Sequence, residues 1–439
     1  MHNKVAIFCL AAAILPCGGQ NLLESTPLVG PLADGFHIYQ MMLSFEYTSL
    51  VGGLNASAPS ALNVGPDYTG WAGGEFAYTR NRARTHFSIL YEPLYFRSFR
   101  FSSLHGLNQV LHMEMTRQVT PQWALNTGLS AEDITIEQFL FSTPQAAGPV
   151  LSSDPNEQAP PSGQTGLTAI QAIIYGQRVL TISGRLGVTY KPTSRFRVTF
   201  DGEGSDSRAR PDQNQPVPQA ALETEMETAE LSLAYSTSPR SEAALRADTQ
   251  RLRSFGDTYT IESLGLGFTH RFTPHLIGSV LAGGGVITPL RAGPLVSGGS
   301  SWIGEARLGY EGRENVLSAN YSHFAGDFYG LGATSTTTFA GNWSWRRLGL
   351  NWGLHAYAAE QILSGGLAAG TRMWQASGGV SRAAGRQLVV SLDYSYLTGS
   401  FSPVLLAQNV NGQAARLTFS WIPFLRDAPP LGLPRVGAQ

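Results

Sequence analysis

The sequence predicts an all-β fold: a single transmembrane antiparallel up-and-down β-barrel of about 18 strands, within a range of about 16–20. Three observations predict it. Apolar and polar residues alternate with period two along most of the chain. Short and long breaks in this alternation follow one another in turn. No stretch after the first 20 residues approaches the roughly 18 apolar residues of a membrane helix.

The alternation predicts strands with one apolar and one polar face, because successive side chains of a strand point to opposite sides. At the start of the pattern the apolar face is Tyr39, Met41, Leu43, Phe45 and Tyr47, and the polar face is Gln40, Ser44, Glu46 and Thr48. The same pattern recurs through Leu388–Tyr396 and Leu417–Trp421 near the end. Such strands are longer than the 5–6 residues typical of soluble proteins, which favours an apolar face directed at lipid.

The breaks give the strand number. Eight are short, at Asn81, Thr120-Pro121, Pro192-Thr193, Ser238-Pro239, Thr273-Pro274, Gly312-Arg313, Arg347 and Ala384-Gly385. Nine are long, at about 51–67, 93–107, 143–176, 206–225, 253–257, 287–298, 325–333, 360–369 and 399–410. Together they connect 18 strands and place both chain ends on the short-turn side. The glutamates of 221–233 are interpreted as an acidic loop that leads into a strand.

Composition agrees with a membrane barrel and excludes other classes. Charged residues make up 14% of the chain, against about 25% in an average soluble domain. The net charge of −1 gives no reason to expect nucleic-acid binding. Cys9 and Cys17 are the only cysteines, so removal of the first 19 residues would leave neither disulfide nor thiol.

The first 19 residues have the order of a cleaved signal peptide, with Lys4, then apolar Val5–Leu15, then small residues before a cleavage point. Two alternatives stay open: an ordinary buried helix, and a lipoprotein signal acylated on Cys17. The predicted organisation is a signal peptide over 1–19, a periplasmic segment over 20–35, the barrel over 36–424 and a periplasmic tail over 425–439.

Three turns carry a resemblance to a known class. Arg117-Gln-Val-Thr-Pro-Gln-Trp, Tyr235-Ser-Thr-Ser-Pro-Arg-Ser and Arg271-Phe-Thr-Pro-His-Leu resemble the periplasmic hairpins of Gram-negative outer-membrane β-barrels of the porin-like type, in which proline presets a tight turn. The resemblance implies export to the outer membrane, contact with its lipid, and assembly by the barrel-assembly machinery. The chain departs from the class after Trp421 and Phe424, because about 15 residues follow where such barrels usually end on an aromatic.

The polar face supplies the candidate functional residues, since an arginine facing lipid near the midplane would cost about 2–4 kcal/mol. The candidate lumen-lining residues are Arg84, Glu114, Arg185, Arg195, Arg197, Asp201, Glu230, Arg246, Asp248, Glu305, Arg307, Asp393 and Arg416. Two interpretations stay open: charges that brace the wall by pairing across strands, and a ring that biases ion passage.

No catalytic, cofactor or metal site is predicted. Gly283-Gly284-Gly285 lacks the helix and lysine of a phosphate loop, and His270 has no partner at metal-ligand spacing. The predicted function is a porin-like channel for passive diffusion of small hydrophilic solutes. One alternative is a barrel with a plugged lumen whose loops 143–176 and 206–225 bind a partner. The other is a membrane-embedded hydrolase. The stretch 167–175 is interpreted as a strand tip or as a constriction folded into the lumen.

Overall fold

The computed structural model describes residues 34–51, 65–100, 105–135, 178–210, 224–254, 257–291, 298–327, 333–347, 352–364, 370–385, 387–400 and 409–423. These residues form 18 antiparallel strands in one sheet. The strands are β1 (Gly35–Val51), β2 (Gly65–Arg82), β3 (Thr85–Ser98), β4 (His105–Gln118), β5 (Trp123–Thr135), β6 (Arg178–Tyr190), β7 (Phe196–Arg210), β8 (Thr224–Ser238), β9 (Ser241–Ser254), β10 (Asp257–Thr273), β11 (Leu276–Arg291), β12 (Gly299–Glu311), β13 (Asn315–Asp327), β14 (Ala333–Arg347), β15 (Trp352–Ser364), β16 (Arg372–Ala384), β17 (Leu388–Ser400) and β18 (Asn409–Trp421).

Pairing of the first strand with the last closes the sheet into a barrel. Residues 41–48 of β1 run antiparallel to residues 421–414 of β18. Within this seam the Ser44 and Thr418 hydroxyl oxygens lie 2.7 Å apart, and Gln40 Nε2 donates to Ser420 Oγ at 3.1 Å. Closure leaves no strand edge with unpaired backbone groups, as a lipid environment requires. The predicted fold class is therefore confirmed, including the strand number.

The short turns lie close to their predicted positions. The largest differences are between β2 and β3, where the turn is at Ala83-Arg84 rather than Asn81, and after β14, where the strand includes Arg347. One prediction is wrong: Glu225 and Glu227 lie in β8, not in a loop before it. The predicted signal peptide, most of the segment 20–35, the loop 143–176 with its stretch 167–175, and the tail 425–439 lie outside the described residues.

The outer face of the barrel is apolar. Its strands expose large side chains such as Leu266 (69% exposed), Ile182 (54%) and Leu392 (52%). A polypeptide surface of this kind is stable only against lipid or another apolar surface. A bulge between Ile38 and Gln40 removes Tyr39 from the predicted alternation, and its hydroxyl group is buried.

Polar and aromatic residues bound this apolar band at both ends. At the short-turn end Trp123 and Tyr190 stack with ring centroids 4.4 Å apart, typical of an interfacial girdle. Near the opposite end, Arg253–Glu225 (3.4 Å) and Arg251–Glu227 (3.6 Å) pair on the outer face of β8 and β9. Across the described part of the chain, no helix is long and apolar enough to cross a membrane.

Candidate functional site

The candidate site is the inner face of the barrel. Eleven of the predicted residues occupy strand positions on this face: Glu114, Arg185, Arg197, Asp201, Glu230, Arg246, Asp248, Glu305, Arg307, Asp393 and Arg416. Arg84 and Arg195 do not, because each lies in a short turn. Their carbonyl oxygens accept backbone hydrogen bonds from Gln118 and Ser236. The polar pattern extends one residue beyond the strand at both positions, since β3 begins at Thr85 and β7 begins at Phe196.

The inner face of β6–β12 carries five arginines and is called the arginine wall below. Arg197 pairs with Glu242 at 2.8 Å, and Arg246 pairs with Glu230 at 2.7 Å. The second pair joins neighbouring strands β8 and β9. Further along the wall, Arg185 lies 3.6 Å from Asp201, and Arg307 pairs with Glu305 on its own strand. The remaining member of the wall is Arg271 on β10. Most arginines of this wall are therefore matched by a carboxylate, as the bracing interpretation requires.

Two strands, β10 and β11, separate Arg246 from Arg307. On these strands the inward positions level with Arg246 are Gly265 and Gly283, which pair directly. The side chain of Leu281 covers Gly265, where an added Cβ would meet its Cδ1 at 3.2 Å. The inner face at this level is therefore formed by glycine backbone and apolar side chains.

Replacement of Gly283 by alanine is expected to destabilise the barrel, because the new Cβ would collide with the backbone of β10 at Leu264 and Gly265. The expected cost is about 1–3 kcal/mol, as for other overpacked sites. Urea unfolding of the refolded protein in lipid measures it. Gly284→Ala is the matched control, since its Cβ would point outward and approach nothing closer than Ser301 O at 4.0 Å. Equal unfolding midpoints for the two variants would contradict the prediction.

The inner face of β2–β5 has the opposite character and is called the acidic wall. It carries Asp67, Glu75, Glu92, Glu114 and Glu132. No lysine or arginine lies on the inward positions of these four strands, within the part the structure describes. Asp67 is fully buried and accepts a hydrogen bond from the Arg100 backbone at 3.0 Å. Sequence reasoning identified only Glu114 of this wall.

The seam between β1 and β18 holds a third charged group. Arg416 Nε donates to Glu46 at 2.6 Å, and its guanidinium lies 5.7 Å from the ring centroid of Trp71. Asp393 is the register partner of Arg416 on β17 and lies 3.5 Å from the His355 imidazole on β15. Both residues of the Arg416–Glu46 pair are nearly buried, with side chains 13% and 8% exposed.

The inner face is not uniformly polar, which the sequence did not lead us to expect. Phe96, Val110, Tyr259 and Leu363 point inward in the half of their strands nearer the long connections, and all are at most 1% exposed. Two apolar clusters lie inside: Met42, Trp71, Leu94 and Phe96 on β1–β3, and Leu252, Tyr259, Ile261 and Ile287 on β9–β11. The barrel interior is therefore packed near this end.

Among the described side chains of the inner face, carboxylates outnumber arginines. The inward carboxylates in the described strands are Glu46, Asp67, Glu75, Glu92, Glu114, Glu132, Asp201, Glu203, Glu230, Glu242, Asp248, Glu305, Glu311 and Asp393. The inward arginines with described side chains are Arg185, Arg197, Arg246, Arg271, Arg307 and Arg416. A lumen of this composition has an excess of negative charge, which attracts cations and repels anions. Among the described residues, no group of three or more His, Cys, Asp and Glu side chains is arranged to hold a metal ion.

No protein-family model matches the chain, and no curated protein matches it. Several solved structures of outer-membrane proteins align along most of it. Pseudomonas aeruginosa OpdQ has a TM-score of 0.45 at 9% identity, covering 88% of this chain and 97% of its own. P. aeruginosa OccK2 (OpdF) in complex with glucuronate has a TM-score of 0.46 at 9% identity, and the alignment covers 89% of this chain and 100% of that protein. P. aeruginosa OpdK with vanillate has a TM-score of 0.45 at 10% identity, and the alignment covers 89% of this chain and 99% of that protein. At this identity the ligands of those proteins say nothing about the solutes of this chain.

Proposed function

We propose that this protein is an outer-membrane channel through which small hydrophilic solutes diffuse passively. One observation carries the proposal: a closed barrel of 18 strands combines an apolar outer face with a charged inner face. Barrels of 16–18 strands are wide enough to leave an aqueous channel. Charged side chains on the inner face are stable there because water or a paired group can solvate them.

The same geometry supports the proposed location and partners. The apolar band needs lipid around it, and bacterial barrels of this type are found in the outer membrane. Insertion would then require the barrel-assembly machinery, and export would require the predicted signal peptide. The absence of enzymatic activity stays a prediction.

Reconstitution of the purified protein into planar lipid bilayers is expected to give discrete, ohmic conductance steps in KCl. The steps follow from a water-filled lumen that needs no energy source. A mock preparation from cells that do not express the protein, carried through the same purification, is the control for contaminating pores. Repeated insertion without conductance would refute the channel.

A second candidate function is favoured by the packed apolar residues near the long connections. If the lumen is closed at that level, the barrel would serve as a scaffold that presents its loops to a partner. The bilayer experiment separates the two, since a plugged barrel inserts, as shown by its heat-modifiable gel mobility, and carries no current.

A further inference from the structure

Three carboxylates of the acidic wall lie together at mid-height. Glu92 on β3 and Glu132 on β5 are both register partners of Val110 on β4. Glu75 follows Gly74 on β2, opposite the same part of β3. Glu92 is close enough to both of the other carboxylates to be influenced by their charge. These three residues are called the carboxylate cluster.

One oxygen of the central carboxylate, that of Glu92, is buried without a hydrogen-bond partner. Glu92 is only 3% exposed, and its Oε2 atom accepts no hydrogen bond. Its neighbours Leu90 and Leu94 on the same strand face are 3% and 6% exposed, so protein rather than water surrounds it. Glu75 and Glu132 keep part of their surface accessible. A buried carboxylate without a counter-charge is unstable by several kcal/mol.

Other polar atoms around the cluster also lack partners. His112 lies one inward position from Val110 on β4, and its Nε2 atom is buried with no hydrogen bond. The Tyr39 hydroxyl, close enough to Glu75 to feel its charge, is likewise buried without a partner. The arginines of the inner face lie on β6–β12 and at the seam, not on β2–β5. The chain therefore supplies no cation for these carboxylates among its described residues.

A group that pairs with these carboxylates must be cationic, and their arrangement favours an organic cation over a metal ion. The carboxylates do not converge as metal ligands do. An ammonium or guanidinium group bears three to five N–H donors directed away from one another. Such a group satisfies separated carboxylate oxygens at once, with charge-assisted hydrogen bonds.

We propose that the carboxylate cluster of Glu75, Glu92 and Glu132 is a binding site on the lumen wall for organic cations that carry an ammonium or guanidinium group. The proposal rests on the proposed channel function for its biological role, since the cation would be a passing solute. Binding itself is independent of conduction, because it requires only that a cation reach the partly exposed Glu75 and Glu132 from one end of the barrel.

Isothermal titration calorimetry on the full-length protein in detergent tests the site with agmatine, which carries one guanidinium and one ammonium group. Wild-type protein is expected to bind it, and the double variant E92Q/E132Q is expected to bind at least about tenfold more weakly, as the loss of charge-assisted hydrogen bonds predicts. Glutarate, a dianion of similar length, is expected not to bind at this site. Glu225→Gln is the matched control: it removes the same charge from the outer face, and its affinity is expected to equal that of wild type.

The outcomes of the agmatine titration can be distinguished from those of the planar-bilayer experiment on the channel. Equal agmatine affinity in wild type and E92Q/E132Q overturns the proposal, as does a wild type that does not bind agmatine. Binding without conductance in planar bilayers supports the site and refutes only the channel. Conductance without agmatine binding supports the channel and refutes the binding site. Heat-modifiable gel mobility verifies folding. If E92Q/E132Q does not fold, the agmatine affinity of Glu132→Gln is compared with that of wild type instead. This single variant changes only a partly accessible side chain.

Discussion

Replacement of Arg416 by alanine is expected to destabilise the folded barrel by about 3–5 kcal/mol. The change leaves the Glu46 carboxylate 8% exposed beside Trp71, with its charge partner gone. It also acts at the seam between β1 and β18, the contact on which closure depends. Urea unfolding in lipid vesicles, followed by tryptophan fluorescence and heat-modifiable gel mobility, measures the loss.

Two further variants separate the seam from a general effect of charge removal. The double variant Glu46→Gln with Arg416→Gln is expected to recover part of the stability, because no uncompensated charge remains. Arg251→Ala removes an arginine from an exposed outer pair, 59% and 71% exposed, and is expected to cost less than about 1 kcal/mol. A seam variant no less stable than Arg251→Ala would show that the pair contributes nothing to closure.

Introduction of an arginine at Leu392 is expected to cost about 2–4 kcal/mol in a membrane. Leu392 is 52% exposed on the outer face of β17, four residues from its short-turn end and within the apolar band. The guanidinium would have to lie in hydrocarbon or distort the bilayer to reach water. The free energy of unfolding in vesicles is the measurement.

Ser395→Arg on the same strand is the matched control. Ser395 faces inward, where it pairs with Ser377 and Ala414 and lies near Asp393. An arginine there has water and a carboxylate within reach, so the expected change is less than about 1 kcal/mol. If both variants lost equal stability, the assignment of inner and outer faces would be wrong.

The strand number could be predicted because two independent patterns agree. The alternation of apolar and polar residues indicates that the two faces of each strand have different environments. Proline or glycine indicates where a tight turn interrupts the ladder. Prediction failed where local sequence continues the polar pattern past the end of a strand, at Arg84 and Arg195. It failed again at Glu225 and Glu227, where acidic residues lie on the outer face of β8, level with arginines of β9.

The candidate site was only partly predictable. The arginine wall could be found because its strands alternate cleanly. Glu92 could not, since β3 is apolar on both faces: Ile89 and Tyr91 face outward while Leu90 and Leu94 face inward. An apolar inner face arises where the interior is packed, and packing depends on contacts distant in sequence. The cue available was one glutamate within an otherwise apolar run.

The seam also sets the order in which this fold can form. Every ladder except β1–β18 joins strands that follow one another in the chain. The longest connection within these hairpins has 42 residues, between β5 and β6, whereas the last ladder must bring together residues about 370 positions apart. The entropy cost of closing a loop rises with its length, so the last ladder is the most costly to close. We therefore expect an open sheet, with β1 and β18 as its two unpaired edges, as the last stage before the barrel closes. Pairing of β1 with β18 would be the slow step, and until it occurs both edges can pair with strands of other chains.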